Sequence, residues 1–208
     1  MSAVDCRAAV IGASSGGFQA LAEVLSGLGR GFRLPILVVQ HLHARDDEMF
    51  AQHLARATGV PVSVPCDKEP IRPGCVHLAP AGYHMLVEAD ETISLSVEER
   101  VNWSRPAIDV LFASAARVWK EALVAVVLTG ANRDGAEGAR TVERFGGRVV
   151  AQDPASAECP AMPAAAIAAV RAPIVLRLPA IRELLRGLGG GAAPAQPAAA
   201  ERRTGASR

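Results

Sequence analysis

Two stretches of this chain are apolar at every position: Pro35-Ile36-Leu37-Val38-Val39 and Leu123-Val124-Ala125-Val126-Val127-Leu128. A strand with one face in water alternates apolar and polar side chains. An unbroken apolar run needs cover on both faces, the condition of a strand inside a parallel sheet. The strands predicted on this basis are Leu34–Gln40 and Leu123–Leu128, joined by Arg7–Ile11, Arg148–Ala151 and Ile174–Leu178. Helical spacing fills the intervals, over Phe18–Leu28, Asp46–Thr58, Gly135–Phe145, Pro163–Val170 and Pro179–Leu188. A further stripe of Ile108, Leu111, Phe112, Ala115 and Trp119 follows Pro106, which suits a first helical turn. Strand and helix in alternation predict an α/β fold with a doubly wound, mostly parallel sheet flanked by helices. Met85–Ala89 and Ile93–Val97, separated by Asp90-Glu91-Thr92, predict an added antiparallel hairpin.

Residues 1–187 read as one domain, and 188–208 as a disordered Gly/Ala/Pro-rich tail. The net charge is +1 and aromatics make up 4% of the chain, so neither a basic field nor a stacking surface for nucleic acid is expected. No apolar run approaches the roughly 18 residues of a membrane span. The N-terminus shows no charged-then-apolar export signal, so a cytoplasmic protein without membrane insertion is expected. Cys6, Cys66, Cys75 and Cys159 form no C-x-x-C pair, which points to reduced thiols rather than a zinc site.

In open α/β sheets the chemistry gathers in the loops after the strands' carboxyl ends. The first strand ends in Gly12-Ala13-Ser14-Ser15-Gly16-Gly17 and runs straight into a helix. This is G-x-S-x-G in a strand–turn–helix setting, where a serine nucleophile would be Ser14. The backbone N–H of Ser15 then lies at a helix N-terminus, a place that favours a developing oxyanion. A serine needs a base, and His41 stands at the end of the second strand. A base needs an orienting acid, and Asp134 follows the Leu123–Leu128 strand, where helix capping is its competing role. His43 completes an H-x-H, but no His/Asp cluster joins it, so no metal and no cofactor are expected. A Gly-Ala-Ser-Ser-Gly-Gly turn also suits a short-chain dehydrogenase. That chemistry needs a tyrosine with lysine four residues on, whereas Tyr83 is followed by Val87.

These residues resemble a family: the catalytic domain of chemotaxis protein-glutamate methylesterase, CheB. The resemblance rests on Ala9–Gly17, Val39-Gln40-His41, Leu128-Thr129-Gly130 and Asn132-Arg133-Asp134-Gly135. It extends over Leu78-Ala79-Pro80, His84-Met85, Ser104-Arg105-Pro106, Ile108–Phe112, Ala151-Gln152, Ala155-Ser156 and Ala161-Met162-Pro163. It implies hydrolysis of glutamyl γ-methyl esters on the cytoplasmic helices of methyl-accepting chemoreceptors, with methanol released, and deamidation of receptor glutamines. It implies Ser14 as nucleophile, His41 as base, Asp134 as orienter, and the N–H groups of Ser15 and Ala131 as oxyanion donors. Arg105 is expected beside the substrate groove. Family members usually carry an N-terminal receiver domain. The first strand here begins near Arg7, so a single-domain form is expected, either constitutively active or controlled by a separate regulatory protein. A non-catalytic receptor-binding adaptor and an esterase for another ester stay open as alternatives.

Overall fold

The computed structural model describes residues 6–29, 31–42 and 47–190. His43, Asp46 and the stretch 191–208 of the expected tail lie outside the described residues. The chain opens with β1 (Ala8–Ala13), α1 (Gly17–Leu25), β2 (Ile36–Gln40) and α2 (Asp47–Thr58). It continues through β3 (Val62–Ser63), β4 (Val76–Leu78), β5 (His84–Val87), β6 (Ile93–Ser96) and α3 (Ile108–Trp119). It closes with β7 (Leu123–Val127), α4 (Ala136–Arg144), β8 (Arg148–Gln152), α5 (Ala161–Ala169), β9 (Ile174–Leu176) and α6 (Leu178–Gly189). Seven strands form one sheet in the order β3-β4-β2-β1-β7-β8-β9, every pair parallel. The chain winds from β1 through β2 to the edge strand β3, steps back one place to β4, then returns beside β1 at β7 and winds out the other way. This is the doubly wound topology that the alternation predicts.

The apolar runs have a direct structural cause. Alternate residues of one strand feed two separate cores. Leu123, Ala125 and Val127 of β7 pack with Leu111, Phe112 and Ala115 of α3, Ala139 and Val142 of α4, and Met162 of α5. Val124, Val126 and Leu128 pack on the opposite face with Leu21, Val24 and Leu25 of α1, Leu54 of α2, and Ile181 and Leu185 of α6. Both parities are buried, so no position can be polar. At roughly 1.5–3 kcal/mol for each fully buried large aliphatic side chain, these central strands carry much of the hydrophobic stabilisation.

The hairpin is present as β5 and β6, an antiparallel pair forming its own two-stranded sheet. Met85, Val87 and Ile93 bury it in the core that α3 lines. Two strands of the main sheet escape the sequence reading. β3 has two residues, and β4 has three with a histidine in the middle. His77 is fully buried there: its Nε2 accepts the Arg72 N–H (3.0 Å) and its Nδ1 faces Ser63 Oγ (3.4 Å). Burial lowers its pKa, which keeps the ring neutral inside the sheet. β9 stops short of Leu178, and its Ile174 and Val175 are exposed, because it is the sheet's outer edge. α6 runs to Gly189, so residues 188 and 189 close a helix instead of opening a tail. A Cβ on Gly189 would stand 2.1 Å from the Phe32 ring, so the glycine lets the two meet.

Candidate active site

β1, β2 and β7 are adjacent in the sheet, so their carboxyl ends deliver Ser14, His41 and Asp134 to one place. His41 Nδ1 lies 3.2 Å from Ser14 Oγ, and His41 Nε2 lies 2.8 Å from Asp134 Oδ2. Asp134 is fully buried. Its ionised carboxylate can only accept, so His41 carries its proton on Nε2 and presents the Nδ1 lone pair to the serine hydroxyl. The Asp–His–Ser relay is continuous within this one structure.

The serine turn is held by backbone and by two amides. Gly16 closes it at φ 75, the left-handed region that glycine enters without cost. The Gln40 Nε2 donates to the carbonyls of Ser14 (2.9 Å) and His41 (3.1 Å), locking the two strand ends together. Gly17 is required beside it, since a Cβ there would meet Gln40 Oε1 at 1.9 Å. On the far side, Thr129 accepts at its carbonyl from the Ser14 N–H (3.0 Å), and its hydroxyl donates to the Ser15 carbonyl (2.9 Å). Gln152 Oε1 takes the Thr129 N–H at 2.9 Å. Among the described residues, the N–H groups of Ser15 and Ala131 have no acceptor. Both belong to exposed residues at the rim, and Gly130 brings the second close. A Cβ on Gly130 would sit 3.0 Å from Ser14 Cβ and 2.6 Å from Met162 Cε. Unpaired N–H donors on the serine turn and on the residue after Gly130 are compatible with acyl-transfer chemistry.

Asp134 does not cap the helix that follows it. That place belongs to Gly135, at φ 94. Its carboxylate instead reaches the first turn of α3, accepting from the N–H groups of Ile108 (2.7 Å) and Asp109 (3.2 Å). The helix therefore presents its positive end to the acid. Asn102 Nδ2 supplies a further donor to Asp134 Oδ1 (2.9 Å), and the same amide nitrogen donates to Asp109 Oδ2 (2.7 Å). Burial pushes the Asp134 carboxyl up. The donors at His41, Ile108, Asn102 and Asp109 outweigh it and hold the group below the usual carboxylate range.

Gln40, Thr129 and Gln152 stand in stretches that carry the family resemblance, yet sequence reasoning gave neither them nor Asn102 a role in the site. Asn102 and Gln152 lie outside any periodic signal. Gln40 ends a strand in which it is the first polar residue. Arg105 follows the turn that holds Asn102, and its guanidinium is engaged within its own loop. Nη1 donates to the carbonyls of Val97 (2.6 Å) and Glu98 (2.8 Å), so the side chain braces the 97–106 segment. A groove of about 490 Å³ between β5 and α3, lined by Leu86, Glu88, Arg117 and Lys120 among others, includes none of the three relay residues. Among the described residues no group of three His, Cys, Asp or Glu side chains gathers as metal ligands, and no helix is long and apolar enough to cross a membrane.

A parallel α/β sheet with a serine, an imidazole and a carboxylate on adjacent strand ends has the form of a serine-hydrolase catalytic domain. The chain belongs to the CheB methylesterase family, whose model matches residues 9–185. It is 45% identical over 181 residues to a putative protein-glutamate methylesterase/protein-glutamine glutaminase of Leptospira interrogans, covering 87% of this chain and 94% of that one. A Nitrobacter winogradskyi protein-glutamate methylesterase/protein-glutamine glutaminase is 42% identical over 167 residues, 78% of this chain and 39% of its own length. Among solved structures, the CheB methylesterase catalytic domain of Thermotoga maritima superposes with a TM-score of 0.83 at 32% identity, over 89% of this chain and all of that one.

Proposed function

We propose that this chain hydrolyses glutamyl γ-methyl esters on chemoreceptor helices, and deamidates glutamines at equivalent positions, through a Ser14–His41–Asp134 triad. The observation that carries the reading is His41 bridging Ser14 Oγ at 3.2 Å and Asp134 Oδ2 at 2.8 Å. The names of its relatives, protein-glutamate methylesterase/protein-glutamine glutaminase, supply the substrate class.

Ser14 Oγ passes its proton to His41 Nδ1 as it attacks the ester carbonyl. Asp134 keeps the other ring proton on Nε2 and stabilises the imidazolium. The N–H groups of Ser15 and Ala131 receive the oxyanion. The tetrahedral adduct collapses, and methanol leaves with the proton that His41 returns. A water then repeats the attack on the acyl-serine, leaving a glutamate and the free hydroxyl. With glutamine the leaving group is ammonia and the product is the same. Arg105 contributes by fixing the loop that carries Asn102. No cofactor enters the scheme.

The test is methanol release from chemoreceptor membranes carrying labelled methyl esters. Wild-type protein is expected to release it. Ser14→Ala is expected to lose at least about a thousandfold in rate, since removing the nucleophile leaves only binding and oxyanion stabilisation. Equal rates from the two proteins would exclude Ser14 as nucleophile. Binding of receptor with no Ser14-dependent release would favour the adaptor role.

A further inference from the structure

Trp103 stands 90% exposed at the tip of a two-residue turn. Val101 and Ser104 exchange backbone hydrogen bonds of 3.2 and 2.9 Å across it, and the two central residues, Asn102 and Trp103, have φ 52 and 60. Turns with both central residues left-handed favour Asn followed by Gly. Asn102 suits its place. Trp103 is a bulky residue where glycine belongs, and it buries almost nothing in return. An aromatic ring kept in water on a strained backbone gives the fold nothing, and strain of this kind gathers at working sites. The turn is also rigidly placed. Asn102 ties it to Asp134 and Asp109, and Arg105 clamps its base to the carbonyls of Val97 and Glu98. Val97 and Val101 on the same loop are exposed as well.

We propose that Trp103 is a docking residue for the helix that carries the ester. Its ring takes an apolar side chain one helical turn from the residue entering the Ser14 site. This rests on the methylesterase reading above. A side-chain ester on a helix brings its i±3 and i±4 neighbours within about 5–6 Å, so a contact beside the triad meets one of them. The continuity of the turn with the Asp134–His41 pair selects this occupant over a second copy of the chain.

The experiment compares kcat/KM on methylated receptor membranes with kcat/KM on p-nitrophenyl acetate. For Trp103→Ala and Trp103→Gly the receptor-to-small-ester ratio is expected to fall at least tenfold, through KM, with Trp103→Phe restoring most of it. Glycine fits the left-handed turn, so Trp103→Gly is expected to melt no lower than wild type, which separates lost docking from lost folding. A Trp103→Gly ratio within twofold of wild type overturns the proposal. Fluorescence gives a readout free of turnover. The other tryptophan, Trp119, is buried, so the difference between Ser14→Ala and Ser14→Ala/Trp103→Phe spectra isolates Trp103. A blue shift on adding receptor supports docking, and its absence overturns it. A blue shift that follows protein concentration without receptor assigns the ring to a second copy, and overturns it too. Failure of the underlying reading looks different: the small ester is then hydrolysed equally by wild type and Ser14→Ala.

Discussion

Two carboxylates lie side by side at the start of α3, share one asparagine amide nitrogen, and are tuned in opposite directions. Asp134, at the end of the β7 loop, is the more deeply buried, yet its pKa is lowered. Asp109, in the first turn of α3, is only partly buried, yet its pKa is raised. For Asp109 burial is the largest influence and pushes it up. The Gly138 N–H and the Asn102 amide pull it down, and the neighbouring charge of Asp134 pushes it up again. The difference teaches that depth does not decide ionisation here; the number of converging donors does. Asp134 collects four, two on each oxygen. The site keeps one acid charged where the imidazole needs it, at the expense of its neighbour.

The largest break in that contrast is Asp134→Asn. Both oxygens of Asp134 face donors on every side, so one of them replaced by an NH2 group points its hydrogens at others. The ring can no longer hold its proton on Nε2 against a carboxylate. Receptor demethylation is expected to fall by about 10⁴-fold, as when a buried triad acid is neutralised elsewhere. The folded state is expected to lose roughly 1–3 kcal/mol, because either the Ile108 N–H (on Oδ2) or the Asp109 N–H (on Oδ1) then faces an NH2 group. Initial rates and urea melts of the same preparation read both. An activity loss below tenfold would mean that His41 does not need Asp134 as its partner.

That three side chains on separate strands meet was legible because the fold itself was. Unbroken apolar runs at 35–39 and 123–128 dictate central strands, and central strands of a doubly wound sheet bring their carboxyl ends together. What was illegible has physical reasons. β3 and β4 are too short to show a period, and His77 interrupts the second. Asp134 follows a strand and precedes a helix, so local spacing left a cap on α4 as a competing role beside that of orienting His41. The helix it serves, α3, lies earlier in the chain, and only the tertiary fold reveals that. Arg105 was expected beside a substrate groove; that its guanidinium also holds two backbone carbonyls has no signature in the sequence. Asn102 acts through a turn whose conformation no neighbour signals.

Asn102→Ala sharpens the comparison, since it removes one donor from each acid at once. Three donors remain on Asp134, so the expected loss in kcat is about tenfold, comparable to deleting one hydrogen bond to a charged group at roughly 1.5 kcal/mol. The pH profile separates this from a merely structural effect. A weakened hold on Asp134 moves the acid limb of kcat/KM, whereas a general loss of folded protein scales the whole curve. An unchanged acid limb with kcat within twofold of wild type would remove Asn102 from the positioning of the triad.

The smallest effect is expected at Asp109, and it is one of slope. Its folded pKa lies above the value near 3.9 expected in the unfolded chain. Between those two values the folded state binds a proton that the unfolded state does not. Wild-type stability is therefore eroded by this group as pH rises through that window, and stays reduced above it. Asp134 has the opposite sign: its contribution is present above the unfolded value and is lost as pH falls through its lowered one. Asp109→Asn keeps an oxygen for the Gly138 N–H, which Asp109 Oδ1 now accepts at 2.7 Å, and removes the charge. Relative to wild type, the variant should gain stability between pH 3.5 and pH 7, with kcat changed less than threefold. Urea melts at a few pH values across that range measure the gain. A constant difference would show that the Asp109 carboxyl titrates alike in both states, and that the donors around it serve α4 rather than its charge.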